Sequence, residues 1–383
     1  MKRIILLATL ILLPLSAFSV KKSINPESLT TEPMGNYTVT GDFKGLNTEK
    51  VIMNFLVPRR DSISLQIFDS ALVVDGHFVL KGTIQYPTYA ELRTGEDQLI
   101  CMFWLEHSDI LMKGVVGVRL NIEGSVTEDD HRRFGEFNNT APLRGKFNEI
   151  TQKMKDAMDA GNSEEAKRLE AEGQVIVDNW NATAEQFIKE NPNSYISLNQ
   201  VWNWSMIDKF SYEDLSRQFN YLSEKLRNST NGLVLKGRLE KMKLLTVGQT
   251  MPELAQPDIE GNQIRVSDYK GKYVLIQIAA SWNESYRDDN KVKLDLYNRF
   301  HNKGFEIMDI LLDTKKAKFQ NFLDKDKLPW KVTCDFKGWD NEVNKRFVIE
   351  QIPQSILVDP NGTIIARELY GERLEKKMNE LFN

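Results

Sequence analysis

Short runs in which apolar and polar residues alternate begin at Tyr37 and recur to residue 125. Residues 37–41, 51–55, 64–68 and 77–81 show the alternation, and 99–105 and 118–122 continue the series. A period of two places successive side chains on opposite faces of a strand. Turn-forming pairs, Asp75-Gly76 and Thr94-Gly95, punctuate the runs. Several short strands at this spacing predict an antiparallel β-sandwich over residues 37–125.

Near residue 140 the period changes. Phe147, Ile150 and Met154 recur at helical spacing, and a very polar stretch follows over 156–172. Gly161-Asn162-Ser163 supplies a stop and an N-cap before Glu164-Glu165. Helical pattern returns over 175–189 and ends at Asn191-Pro192, because the residue before a proline disfavours the α region. Residues 194–204, 212–226 and 232–244 carry the same periodicity, so 140–245 reads as a helical region. From Val247 the pattern becomes α/β. Buried strands are expected at 273–280, 305–312 and 330–334, with helices at 284–302, 316–325 and 342–347. A hairpin of 355–358 with 363–367 around Asn361-Gly362 and a last helix at 373–382 complete the series. That order requires parallel strands joined by crossovers, plus one antiparallel pair at the end. The fold class is thus multidomain: a β-sandwich, a helical middle, and an α/β domain over 247–383.

The N-terminus changes the picture of where such a chain works. Lys2 and Arg3 precede an apolar run over 4–15, and Ala17-Phe18-Ser19 is a small-x-small site. This is the pattern of a secretory signal peptide over residues 1–19, too short to span a bilayer. No cysteine follows it, which argues against a lipoprotein anchor. Residues 20–36, with Pro26, Pro33 and Gly35, read as a linker. The expectation is a periplasmic or secreted protein with no membrane span after cleavage. The formal charge of −4 becomes −6 when Lys2 and Arg3 leave with the leader. Nothing in it suggests the basic face that nucleic-acid binding requires. Of the two cysteines, Cys101 and Cys334 lie in different expected domains, and free, buried thiols are the expected state.

Residues 247–383 resemble the thioredoxin-like superfamily, in particular the periplasmic thiol-disulfide oxidoreductases of the TlpA and ResA type, related to the AhpC/TSA antioxidants. Val247-Gly248-Gln249-Thr250-Met251-Pro252, Asp258-Ile259-Glu260-Gly261-Asn262 and Ser267-Asp268-Tyr269-Lys270-Gly271-Lys272 carry the resemblance. So do Ala280-Ser281-Trp282, Leu328-Pro329-Trp330, Ile352-Pro353-Gln354-Ser355 and Val358-Asp359-Pro360-Asn361-Gly362. The sandwich and helical region resemble a domain of unknown function that precedes thioredoxin domains in bacterial envelope proteins; Asn191-Pro192-Asn193-Ser194 is typical of its helical tail.

The resemblance implies a Trp-Cys-x-x-Cys at the start of the first helix, and here the chain departs from it. The two cysteine positions read Asn283 and Tyr286. Thiol-disulfide exchange needs an attacking thiolate, and neither an amide nor a phenol with a pKa of about 10 supplies one. Asn283 is a good N-cap residue, and Ser281-Trp282-Asn283-Glu284 also fits a capping box one register earlier. Asp289 stands where this branch often carries an acidic residue, and with no thiol to tune reads as an early-helix carboxylate. Pro353 matches the family's cis-proline, which with Ile352 is implied to face the site and to pair with an extended peptide. Binding is therefore expected around Trp282, Asn283, Tyr286, Ile352 and Pro353. No cofactor is implied, and His77, His107, His131 and His301 show no metal-ligand spacing. The reading that follows is a redox-inactive binder of a polypeptide or envelope partner. The alternative is an active thiol-disulfide oxidoreductase or antioxidant that uses Cys334.

Overall fold

The computed structural model describes residues 33–57, 65–138, 140–207 and 210–382. The expected leader and all but the end of the linker lie outside the described residues. Two compact units meet between Lys236 and Gly237.

The first unit opens with eight strands: β1 (Gly35–Lys44), β2 (Lys50–Val57), β3 (Leu65–Leu72), β4 (His77–Ile84), β5 (Thr88–Thr94), β6 (Leu99–Leu105), β7 (Asp109–Val115) and β8 (Arg119–Glu123). They form two four-stranded sheets, ordered β4-β1-β7-β8 and β3-β2-β5-β6. Val39, Phe78, Leu80 and Met112 from one sheet share a core with Val51, Met53, Leu92 and Phe103 from the other, as a sandwich requires. Asp75 and Gly76 both take positive φ, 51° and 80°, which makes the tight turn into β4. A Cβ at Gly76 would meet the Phe43 carbonyl oxygen at 2.4 Å, so only glycine fits there.

The sandwich departs from the expected pattern in two ways. β1 pairs with β7 in parallel, so the first sheet is mixed and not purely antiparallel. Moreover β5 and β7 lie where no strand was expected, although burial alternates along β5 and through the middle of β7. β5 turns Thr88, Ala90, Leu92 and Thr94 inward, so half of its buried face is threonine. β7 carries the unbroken run Ile-Leu-Met, of which Ile110 and Met112 are buried.

Helices follow at α1 (Val126–Phe137), α2 (Thr140–Asp159), α3 (Ser163–Glu190), α4 (Tyr195–Ser205), α5 (Tyr212–Tyr221), α6 (Glu224–Arg227) and α7 (Thr230–Lys243). α1 starts directly after the sandwich, capped by Ser125, where no helix was expected before 140. α3 begins at Ser163 and not at 175, because Asn162 caps it by accepting from the Glu165 amide at 3.2 Å. Its polar first turns still bury Ala166 and Leu169. The expected helix at 212–226 breaks at Leu222, which is extended, and Ser223 caps a new short helix.

The second unit holds a five-stranded sheet ordered β13-β12-β11-β14-β15. Its strands are β11 (Tyr273–Ala279), β12 (Phe305–Leu311), β13 (Lys331–Thr333), β14 (Gln354–Val358) and β15 (Ile364–Arg367). A two-stranded hairpin, β9 (Ala255–Pro257) with β10 (Gln263–Arg265), precedes it. β11, β12 and β13 are parallel. β14 runs antiparallel to β11 as well as to β15, giving two antiparallel pairings where one was expected. Helices α8 (Glu284–Phe300), α9 (Lys316–Asp326) and α11 (Gly371–Phe382) pack with Leu275, Ile307 and Leu357. α10 (Glu342–Phe347) packs with Val274, Ile276, Met308 and Ile356 on the opposite face. Burial on both faces explains why these strands read as unbroken apolar runs.

Candidate functional site at the C-terminal edge of the sheet

β11 ends at Ala279 and α8 begins at Glu284, so residues 280–283 turn across the C-terminal edge of the parallel strands, where α/β folds place their sites. Asn283 takes extended backbone angles and caps α8, its Oδ1 accepting from the Tyr286 amide at 3.0 Å. Its Nδ2 donates to the Ile352 carbonyl at 3.3 Å. One side chain thus satisfies an orphan helix N–H and ties the helix to the loop that carries the cis Ile352–Pro353 bond. The capping box one register earlier does not form. Ser281 turns instead to Asp313, donating from its amide to Oδ2 at 2.9 Å and from Oγ to Oδ1 at 2.6 Å.

Tyr286 is fully buried, so it offers no surface to a ligand and leaves the set of expected binding residues. Its hydroxyl donates to Asp309 Oδ2 at 2.7 Å, and Trp330 Nε1 donates to the same oxygen at 2.6 Å. Burial, followed by the Asp309 carboxylate, holds the phenol well above its ordinary pKa. Lys293 lies two turns further along α8, fully buried, with Nζ 2.9 Å from Gln277 Oε1 and 4.0 Å from the Tyr286 ring centroid. Burial lowers its pKa, opposed by the charges of Asp309 and Asp289. Asp289, read as an early-helix carboxylate, turns into the interior. It is buried, accepts from the Gly371 amide at 2.7 Å, and is pushed up chiefly by desolvation.

Cys334 follows β13 at this same edge, and its sulfur is buried. The residue is 1% exposed, and Sγ sits 3.6 Å from the Asp313 carbonyl oxygen while accepting from the Phe336 amide at 3.4 Å. Burial pushes its pKa up to about 11. Cys101, in the other unit, is also free, and burial followed by the Glu128 charge raises it to about 12. Among the described residues no group of His, Cys, Asp and Glu is arranged to hold a metal ion. Trp282 alone of the turn is strongly exposed, at 62%. Behind the cis bond, the Tyr370 hydroxyl donates to the Pro353 carbonyl at 2.7 Å.

Sequence reasoning missed Asp309, Lys293, Asp313 and the part played by Trp330. Asp309 interrupts the apolar run of β12, and Lys293 shares the helical stripe of Tyr286, Asp289, Asn290, Leu296 and Tyr297. A charge set in a buried stripe was the available signal, since such groups are seldom buried unless partnered.

Residues 247–367 match the AhpC/TSA family, and residues 37–131 match a domain of unknown function, DUF4369. The thiol-disulfide oxidoreductase ResA of Bacillus cereus is 27% identical over 144 residues, covering 38% of this chain and 81% of that protein. ResA of Oceanobacillus iheyensis is 27% identical over 146 residues, covering 36% of this chain and 74% of that protein. Among solved structures, the thioredoxin domain of a thiol-disulfide oxidoreductase from Bacteroides vulgatus is 31% identical. It covers 36% of this chain and 99% of its own, with a TM-score of 0.34. Among the described residues no helix is long and apolar enough to cross a membrane. By these matches residues 247–367 are an AhpC/TSA thioredoxin-like domain, with a DUF4369 domain at residues 37–131 ahead of it.

Proposed function

We propose that this chain is an extracytoplasmic member of the family that has given up dithiol exchange and binds a polypeptide or envelope partner at the sheet edge around Trp282, Asn283, Ile352 and Pro353. One observation carries the reading. The two positions of the dithiol are occupied by groups built into the fold, a helix cap at Asn283 and a buried phenol at Tyr286, while Trp282 in the same turn stays exposed. Asn283 uses one lone pair of the Ile352 carbonyl, and a carbonyl oxygen has two. The signal-peptide pattern of residues 1–19 supports export. The alternative, exchange through Cys334, requires a thiolate, which burial of the sulfur opposes.

The test is reduction of a disulfide-bonded protein by dithiothreitol in the presence of the chain. The expected result is no acceleration by the wild type, beside measurable acceleration by the double variant Asn283→Cys with Tyr286→Cys. Wild-type acceleration that vanishes in Cys334→Ser would overturn the reading.

A further inference from the structure

The edge that carries Trp282 holds a second exposed indole. Within residues 237–382 the exposed large apolar side chains are Leu244, Val247, Trp282 and Trp339. Hydrogen bonds and packing join the two tryptophan-bearing loops into one rim. Leu312 donates to the Ala279 carbonyl at 2.8 Å, and Ser281 is bonded twice to Asp313. A Cβ placed on Gly338 would lie 2.7 Å from the Thr314 methyl, which sets the Trp339 loop directly against the loop after β12.

The loop after β12, the first turn of α9 and the Trp339 loop carry lysines. Lys315, Lys316, Lys318 and Lys337 are all exposed, and none makes an ion pair with another described residue. The carboxylates in the same loops are engaged. Asp313 is buried on Ser281, Asp335 accepts from the Lys337 amide at 3.0 Å, and Asp340 pairs with Lys345 at 3.5 Å. Past Trp282, the first turns of α8 expose both signs, Glu284 and Asp288 with Arg287 and Lys291. The exposed charged groups from Lys315 to Lys318 are all lysines, on a chain whose net charge is −4.

We infer that this rim is a docking surface for an extended, acidic polypeptide segment with apolar side chains, lying from Trp282 across the lysines to Trp339. The inference rests on the polypeptide-binding reading above and names the class of partner. Unpaired lysines keep like-charged segments away and draw acidic ones in, which sets specificity and association rate. The indoles supply apolar area, and each also has an N–H donor for a carboxylate or a backbone carbonyl.

The experiment titrates the whole chain, followed by tryptophan emission, with three synthetic peptides of equal length and equal apolar content. One carries Asp and Glu, one Asn and Gln, and one Lys and Arg. The acidic peptide should bind about tenfold or more tightly than its amide counterpart, and its affinity should fall as salt rises. The double variant Lys315→Glu with Lys337→Glu should abolish the preference, Lys315→Arg with Lys337→Arg should keep it, and Trp339→Ala should weaken binding of the acidic peptide. All sites are exposed, and an unchanged thermal melt verifies each fold. Equal affinity for acidic and amide peptides overturns this inference and leaves the polypeptide-binding reading standing. No binding of any of the three overturns both.

Discussion

The side chain of Asn283 bonds in two directions, accepting from the Tyr286 amide at 3.0 Å and donating to the Ile352 carbonyl at 3.3 Å. The position at which relatives of the ResA type are expected to hold an attacking sulfur is here a staple. It closes the N-terminus of α8 and anchors the loop across from it. A thiolate there could accept from the helix amide, but it has no donor for the Ile352 carbonyl and could not tie the two segments together.

The staple has a measurable share in stability. Asn283→Ala removes both bonds and should lower stability by about 1–2 kcal/mol. Asn283→Ser retains a cap oxygen but is too short to serve both partners, so it should fall between. Denaturant unfolding reads the order, and amide exchange at Tyr286 localises it. Exchange as slow in the alanine variant as in the wild type would show that the cap contributes nothing.

Tyr286 is the second half of the same argument. Tyr286→Phe leaves Asp309 Oδ2 with only the Trp330 donor and should cost about 1–3 kcal/mol. Tyr286→Cys removes the buried ring as well and should cost about 3–5 kcal/mol, the range for emptying an aromatic site. A restored dithiol would thus be less stable than the natural chain, and denaturation midpoints of the two proteins side by side test this. A variant with both cysteines and undiminished stability would mean the tyrosine is incidental.

Much of this was legible in the sequence because it follows from period and chain order. The apolar runs of β11 and β12, the cap at Asn283 and the Asn361-Gly362 hairpin are local signals, and local physics sets them. The rest depends on partners distant in sequence. Asp313 claims Ser281 away from its capping box, and it lies on the next strand's loop. Lys293 and Asp309 come from helix and strand to one buried site, and no spacing rule relates them. In the sandwich, β5 was hidden because threonine can face inward where its hydroxyl finds a carbonyl, as Thr88 Oγ1 does with Tyr86 at 3.2 Å.

The cysteines make a prediction about reactivity. At pH 8 a thiol with a pKa of about 11 is ionised to about one part in a thousand, against roughly a quarter for a free cysteine near 8.5. Alkylation of Cys334 in the native chain should therefore be at least roughly two orders of magnitude slower than that of a free thiol. Cys101, pushed up to about 12, should react no faster. Mass spectrometry after a timed iodoacetamide pulse, with a denatured control, gives both rates. Rapid modification of Cys334 in a chain that stays folded would revive the alternative function.

Lys293 should prove as sensitive a position as Tyr286. Its ammonium is buried with Asp309 and Asp289, and it lies over the Tyr286 ring. Lys293→Met leaves two buried carboxylates without their cation and should cost about 3–5 kcal/mol near neutral pH. Asp309→Asn removes one of those charges yet can still accept from Tyr286 and Trp330 through its Oδ1. The double variant should therefore lose less than the sum of the singles, with a coupling of about 1 kcal/mol or more. The pH dependence has a definite sign. Burial lowers the folded-state pKa of Lys293 below its unfolded value of about 10.4. Between those two values the unfolded chain holds a proton that the folded chain has released, so this group's contribution to stability rises with pH. It is complete above the unfolded value and is lost as pH falls through the folded one. The stability of the wild type minus that of Lys293→Met should accordingly grow on going from neutral to alkaline pH, and denaturation midpoints of both proteins across that range measure it. A difference that shrinks with pH, or additive single variants, would mean that the ammonium is not held in the dry cluster with Asp309.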